Sequence, residues 1–336
     1  MGKKILITGA SGFIGSFLVE RGLEQGMQVW AGVRRTSSRK YLSDPRISFA
    51  ELDFTDSDLL ESQLKAHQKE HGGWDYIIHC AGVTKCLHRA DFEIGNYWAT
   101  RNFIETLQRL NMTPERFVFI SSLSIFGAIR ENDYSDICET DTPCPNTAYG
   151  ISKLHSEEYL RSLKDFPYII FRPTGVYGPR EHDYFLMAQS IKHHVDFAAG
   201  FRRQNITFVY VTDLVQAVYL SLQKGVKQRA YFISGGEVYS SRTFSDLIRK
   251  ELGNPWMVRL TCPLLVLKLI SFVAENIARL RQKTSTLNCD KYNIMKQRNW
   301  RCDITPAINE LGYRPQYPLA KGVKEIIAWY KKEGWL

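Results

Sequence analysis

The first half of the chain alternates short apolar runs with longer amphipathic stretches. Lys4–Thr8, Gln28–Val33, Ile47–Leu52, Tyr76–His79, Phe117–Ser121 and Tyr168–Arg172 have the length and composition of strands. Between them, Phe13–Gln25, Ser57–Glu70, Glu93–Leu110 and Tyr149–Leu163 read as helices. Strands spaced in this way predict an α/β fold, a Rossmann-type doubly wound parallel sheet with right-handed crossovers and helices on both faces. Phe117-Val118-Phe119-Ile120 is apolar without alternation, as a strand buried on both sides should be. After Pro179 the rhythm changes. A helix over Phe185–His194, a strand over Thr207–Val211, a helix over Asp213–Leu222 and an apolar run Ala230–Ser234 precede a C-terminal part rich in Trp, Tyr and Pro. This predicts a sheet domain over 1–180 and a smaller substrate-binding portion over 181–336, with some of its segments returning to the sheet.

Composition narrows the class without choosing a function. The 336 residues are 44% apolar and 24% charged, which excludes a disordered chain, a collagen-like chain and a small disulfide scaffold. Seven cysteines without a C-x-x-C pair point to free thiols in a reducing compartment. Met1-Gly2-Lys3-Lys4 runs directly into the first strand without the apolar region of a signal peptide, so a cytoplasmic protein is expected. His182, His193 and His194 have no evident metal partners, and no metal site is expected. The formal charge of +9 fits an anionic cofactor, nucleic acid, a membrane surface or plain solubility. No nucleic-acid recognition motif accompanies it, so no nucleic acid partner is expected.

Local chemistry points to a cofactor. Gly9, Ser11, Gly12, Phe13, Ile14 and Gly15 form a glycine-rich turn between the first strand and the first helix. Such a turn lets backbone approach a pyrophosphate, with the helix N-terminus supplying N–H groups and a positive dipole end. The spacing is G-x-x-G-x-x-G rather than the commoner G-x-G-x-x-G. At the end of the second strand, Arg34 and Arg35 stand where NAD-preferring enzymes carry an acid, so NADP(H) is the expected cofactor and NAD(H) the alternative. Asp53, with Phe54 beside it, ends the third strand and can accept a hydrogen bond from an adenine amino group. Asp56 is the better N-cap for the next helix.

Tyr149 and Lys153 lie four apart and project from one helical face. A free tyrosine titrates near 10, and a neighbouring ammonium stabilises its anion and makes it a usable acid/base. Ser121-Ser122-Leu123-Ser124 follows the apolar strand, at the edge where open α/β sheets bind ligands, so a serine hydroxyl can orient the same substrate oxygen.

In order and separation, Thr8–Gly15, Asp53, His79-Cys80-Ala81-Gly82, Asn96, Ser121–Gly127, Tyr149–Lys153, Arg172–Pro179 and Phe208–Leu214 resemble the extended short-chain dehydrogenase/reductase family over nearly the whole chain. The resemblance implies Ser122 as hydroxyl partner, Tyr149 as general acid/base, Lys153 as its activator and Asn96 as support for the proton relay. It implies that Ala81, Gly82 and Pro173 touch the cofactor through backbone, and that the protein is a homodimer. Ser124, Lys85, Thr174 and Tyr184 are the candidate substrate contacts, with Tyr177 as a further pocket residue. His79 reads as structural, and Cys80 lies near the nicotinamide, where burial explains it as well as reactivity does.

Within the family, Leu123-Ser124 stands where dehydratases carry Asp-Glu, and Thr174-Gly175 where many sugar enzymes carry Phe-Asn. The run Arg172–Pro179 looks closer to the steroid dehydrogenase and flavonoid-type reductase branch. The expected activity is therefore NADPH-dependent reduction of a hydrophobic ketone, such as a 3-keto long-chain base or a sterol-like ring. A nucleotide-sugar epimerase or reductase is the first alternative, and a non-catalytic NADPH-binding regulator the second. One feature supports the hydrophobic reading. Across 263–280, Lys268, Ser271, Glu275 and Arg279 form one helical face and Leu, Ile, Val and Phe the other. This is either an interfacial helix on an anionic membrane or a core helix over the substrate cleft.

Overall fold

The computed structural model describes residues 2–282, 285 and 287–336. In chain order the elements are β1 (Lys4–Thr8), α1 (Phe13–Glu24), β2 (Gln28–Val33), β3 (Ser48–Glu51), α2 (Ser57–His71), β4 (Tyr76–His79), α3 (Arg89–Phe92), α4 (Ala99–Arg109), β5 (Arg116–Ile120), α5 (Ala148–Ser162), β6 (Tyr168–Pro173) and β7 (Gly175–Tyr177). They continue as α6 (His182–Lys192), β8 (Val195–Ala199), β9 (Phe208–Tyr210), α7 (Val211–Gln223), β10 (Arg229–Ile233), α8 (Thr243–Glu251), β11 (Val258–Cys262), α9 (Leu264–Leu280), α10 (Cys289–Lys296) and α11 (Leu319–Lys332).

Seven strands form one sheet in the order β10-β6-β5-β4-β1-β2-β3. Ile5 pairs in parallel with Val29 on one side and Tyr76 on the other, and Phe117 pairs in parallel with Tyr168. This is the doubly wound Rossmann arrangement, and strand order reverses between β1 and β4, the place where such sheets bind their ligand. The inner strands are buried on both faces, as their continuous apolar runs require, while the edge strand β3 is largely exposed. Leu6, Ile77, Phe117 and Phe119 pack with Phe103 and Leu160 from the covering helices. Asp56 caps α2 as expected, accepting the Leu59 N–H at 3.0 Å.

The helix expected over Glu93–Leu110 is not uniform. Glu93–Trp98 is a π-helical turn between α3 and α4. Its wider turn places Gly95 against the Val83 side chain and carries Asn96 inward, where it is buried. Single π turns inside α-helices are frequent at functional sites.

The chain divides into two compact units. One comprises Met1–Ser122, Ala148–Arg172 and Val215–Tyr231, the other Leu123–Thr147, Pro173–Leu214 and Phe232–Leu336. The second unit has a core of Tyr177, Phe208, Phe244, Val323, Ile326 and Tyr330. It contains two small parallel ladders, β7 with β9 and β8 with β11. Helix α9 covers the apolar stretch singled out in the sequence, but it is not a core helix. Of its seventeen residues only Leu267 and Ser271 are buried. Among the described residues no helix is long and apolar enough to cross a membrane.

Candidate active site

The glycine turn is built for close backbone approach. Gly9 has φ +65°, and a Cβ there would stand 2.8 Å from the backbone of Cys80 and Ala81. A Cβ on Gly15 would collide with the Gly9 carbonyl, and one on Gly12 would come within 3.2 Å of the same oxygen. Gly12 is the N-cap of α1 and no side chain caps the helix. Ser11, Phe13 and Ile14 are half-buried around this opening. A first helical turn whose N–H groups are left to a ligand, beside a cradle that side chains would fill, fits a dinucleotide pyrophosphate.

Around the turn, β1 and β4 are tied by polar contacts. His79 is buried, with Nδ1 2.9 Å from Thr8 Oγ1 and Nε2 3.2 Å from Thr100 Oγ1. Burial pushes its pKa down to about 3, so the ring is neutral and structural. Thr8 Oγ1 also accepts the Ala81 N–H at 3.1 Å. Burial raises the Cys80 thiol to about 11, which favours its neutral form. Asp53 Oδ1 accepts from the N–H and hydroxyl of Thr55 at 3.0 and 2.7 Å, and these bonds lower its pKa. Phe54 stacks edge-on against His79. Arg34 and Arg35 are exposed beyond the end of β2. Arg34 is held through its backbone, its N–H donating to Ser37 Oγ at 3.0 Å.

The first unit also brings Ser122, Tyr149, Lys153 and Asn96 together. Ser122 leaves the end of β5, and Tyr149 and Lys153 lie in the first turns of α5. Burial raises Tyr149 to about 12, and a hydrogen bond with the Ser122 hydroxyl pulls it back in part. Lys153 Nζ donates to the Ile120 carbonyl at 2.9 Å and sits 4.6 Å from the centre of the Phe119 ring. Burial lowers Lys153 to about 8, against the raising influence of Cys80 and Glu157. Activation of the tyrosine by the ammonium is expected from spacing; here desolvation sets the shift of Tyr149, and the influence that lowers it comes from Ser122. Asn96 Oδ1 accepts the Val83 N–H at 2.8 Å, and its Nδ2 donates to the Val83 carbonyl and to Ser152 Oγ at 3.1 and 2.9 Å. These bonds pin the turn after β4, where a Cβ on Gly82 would stand 2.7 Å from Asn96 Oδ1 and 3.4 Å from Lys153 Nζ. Ala81 is half-buried, and Lys85 is exposed farther along the same loop.

Beneath this group lies a pair that sequence reasoning missed. Glu157 is buried and forms an ion pair with buried Arg172 at 2.5 Å. Its Oε1 also accepts from the Ser121 hydroxyl at 2.5 Å. The signal available was the four-residue step from Lys153 to Glu157, which places both on one face of α5.

The remaining candidates belong to the second unit. Ser124 is half-buried in a short turn, Thr174 is buried, and Pro173 ends β6. Tyr184 stacks on Phe244 with ring centres 4.6 Å apart, and Tyr177 is buried against Tyr210 and Phe244. All seven cysteines are free, and no metal-binding cluster occurs among the described residues.

Comparisons with known proteins give the chain its relatives. The model of the family described as NAD dependent epimerase/dehydratase matches residues 5–234. A putative UDP-glucose 4-epimerase of Methanocaldococcus jannaschii is 26% identical, covering 97% of this chain and 98% of that protein. Among solved structures, Bordetella bronchiseptica WbmG in complex with NAD and UDP superposes with a TM-score of 0.78 at 21% identity, covering 99% of this chain and 96% of the other. The UDP-glucuronic acid 4-epimerase of Bacillus cereus, in complex with UDP-glucuronic acid and NAD, superposes at 0.75 with 22% identity, covering 98% and 99%.

These relatives correct three expectations. The steroid dehydrogenase and flavonoid-type reductase branch is displaced by relatives named for nucleotide-sugar chemistry. With it goes the hydrophobic ketone substrate, which rested on the Arg172–Pro179 run and on the apolar stretch that the structure shows as the exposed helix α9. The NADP(H) preference is overturned by neighbours solved with NAD, and exposed Arg34 and Arg35 are read as solvated loop residues. With its glycine turn, its β1–β4 crossover and the Ser122–Tyr149–Lys153 group all inside the matched span, the chain belongs to the NAD dependent epimerase/dehydratase family.

Proposed function

We propose that the chain is an NAD-dependent nucleotide-sugar epimerase. The observation that carries this reading is the Tyr149–Ser122 hydrogen bond one helical turn from the buried Lys153 ammonium, in the same unit as the uncapped glycine turn. Relatives named as UDP-glucose and UDP-glucuronic acid 4-epimerases support the substrate class.

Gly9, Gly12 and Gly15 would hold the dinucleotide's pyrophosphate against backbone, with Asp53 and Phe54 toward its adenine end. When bound, the nicotinamide supplies a reversible hydride acceptor. As the tyrosinate, Tyr149 takes the proton from a sugar hydroxyl while that carbon is oxidised, becoming neutral, and gives it back on reduction, an acid/base role that requires contact with the reacting oxygen. Ser122 bonds the same oxygen and sets its direction. Lys153 holds positive charge that stabilises the tyrosinate before it accepts the proton and again after it returns it. Asn96 keeps the Val83 turn and Ser152 in register around them. The chain has Leu123-Ser124 after Ser122, and leucine cannot supply the acid that elimination of water needs, so epimerisation is favoured over dehydration.

The test is incubation of the purified protein and NAD with UDP-glucose, UDP-glucuronic acid and dTDP-glucose, followed by proton NMR of the sugar. Appearance of an epimer without net NADH supports the proposal. NADH accumulating in step with a keto product, or a 4-keto-6-deoxy sugar from dTDP-glucose, overturns it.

A further inference from the structure

The second unit carries an apolar surface that none of the described residues covers. On α9, Leu265 is 83% exposed, Leu269 64% and Phe272 58%, with Val266, Ile270, Val273, Ile277 and Leu280 also exposed. At 100° per residue these side chains span an arc of about 160°. Leu267 and Ser271, the two buried residues, lie on the opposite side.

The β8–β11 ladder adds a second exposed apolar face. Its register pairs Leu260 with Phe197 and Arg259 with Asp196. Alternation along the strands puts Val258, Leu260 and Phe197 on one side, and all three are exposed. The inward side is the polar one. Buried Asp196 pairs with Arg242 at 2.7 Å and accepts from the Ser245 hydroxyl at 3.2 Å. A sheet that turns its charges inward and its hydrocarbon outward has the reverse of the pattern that water selects. The two faces adjoin where Gly200, following β8, donates to the Cys262 carbonyl at 2.8 Å and abuts Leu264 at the start of α9. Exposed Phe201 and Trp256 flank them.

Charge decides what this surface meets. From Trp256 to Gln282 the chain has Arg259, Lys268, Arg279 and Arg281 against a single acid, Glu275; Arg279 pairs with Glu275 at 3.0 Å and Arg259 with Asp246 and Asp196, so Lys268 and Arg281 carry the charge of the rim. On the helical wheel Lys268 and Arg279 lie along one edge of the apolar arc and Arg281 along the other. Beside the start of α9 a cavity of about 320 Å³ has Leu264 on one wall, with Arg202, Lys296 and the Arg298–Glu131 ion pair among the others. A second copy would bring an equally basic rim against this one. A hydrocarbon layer bordered by phosphates matches both the arc and its rim, and an amphipathic helix of this kind lies in the membrane interface rather than across it.

We propose that the α9 and β8–β11 face of the second unit docks on the surface of an anionic lipid bilayer. The test is co-sedimentation of the full chain with vesicles of phosphatidylcholine alone or mixed with phosphatidylglycerol. Wild type is expected to bind the mixed vesicles at least tenfold more tightly than the neutral ones, and less tightly as salt rises. Leu269→Glu with Phe272→Glu should lose that binding without lowering the melting temperature. Lys268→Glu with Arg281→Glu should weaken it at least tenfold while leaving the apolar face intact. The proposal is overturned if wild type ignores both vesicles, or if the variants bind as wild type does. It is also overturned if sedimentation velocity finds a dimer that Leu269→Glu disperses while no vesicle binding occurs, which would assign the face to a second copy. None of these readouts uses enzymatic activity.

Discussion

Glu157 and Arg172 form an ion pair at 2.5 Å in which neither side chain is more than 3% exposed. Ser121, from the end of β5, donates its hydroxyl to the same carboxylate. The pair therefore ties α5, β6 and the end of β5 together one helical turn from Lys153. Breaking a buried pair from one side leaves an uncompensated charge, which costs about 3–5 kcal/mol. Glu157→Gln should destabilise the fold by that amount in urea titration. Glu157→Leu combined with Arg172→Met removes both charges and should recover most of the loss. A double variant as unstable as the single one would show that charge is not the cause.

Removing the Tyr149 hydroxyl separates chemistry from binding. Tyr149→Phe keeps the ring, which packs edge-on against Phe92 with centres 6.4 Å apart. It deletes the group that would exchange the proton. Turnover on the nucleotide sugar should fall about 10²–10⁴-fold, the usual contribution of a positioned acid/base. The NAD dissociation constant, measured by calorimetry, should stay within about twofold. A variant retaining a tenth of wild-type turnover would remove Tyr149 from the role.

The glycine turn makes an ordered prediction. At Gly15 a methyl would collide with the Gly9 carbonyl, whereas at Gly12 it would meet that oxygen at 3.2 Å. A backbone oxygen cannot move aside as a flexible side chain can. Gly15→Ala should therefore weaken NAD binding by well over tenfold, and Gly12→Ala by less. In wild type, NAD should bind more tightly than NADP, because exposed Arg34 and Arg35 are held in no built phosphate site. Equal effects from the two alanines would mean that the turn does not approach the cofactor through backbone.

Much of the first unit was legible because its signals are local. The apolar runs gave the strands, with Lys4–Thr8, Gln28–Val33 and Tyr76–His79 matching residue for residue. Asp56 announced the start of α2 by its side chain alone. What could not be read depends on contacts between distant segments. Glu157, in Ser156-Glu157-Glu158, looks like a solvated helix position until Arg172 and Ser121 arrive beside it. The π turn at Glu93–Trp98 has no composition of its own and follows from Asn96 reaching Val83 and Ser152. The branch and the cofactor were misread for a different reason. Two arginines at the end of β2 and an apolar helix are each compatible with more than one partner, and residue type alone does not say which of them a site encloses.

Lys153 ties activity and stability to pH in opposite directions. Burial brings it from its ordinary 10.5 to about 8, and Glu157 holds it up from below. Below about pH 8 the folded protein keeps the ammonium that the proposed role of Tyr149 requires. As pH rises through 8 that proton is lost, and kcat/KM should fall with an apparent pKa near 8. Stability should move the other way. Between 8 and 10.5 the unfolded chain binds the proton and the folded one does not, so this lysine's contribution to stability rises with pH across that window. Glu157→Gln removes a raising influence and should shift the kinetic limb to lower pH. Lys153→Met should abolish the limb together with most of the turnover, and should remove the stability gradient that this group contributes. A kinetic limb that stays at the same pH in Glu157→Gln would mean that another group sets it.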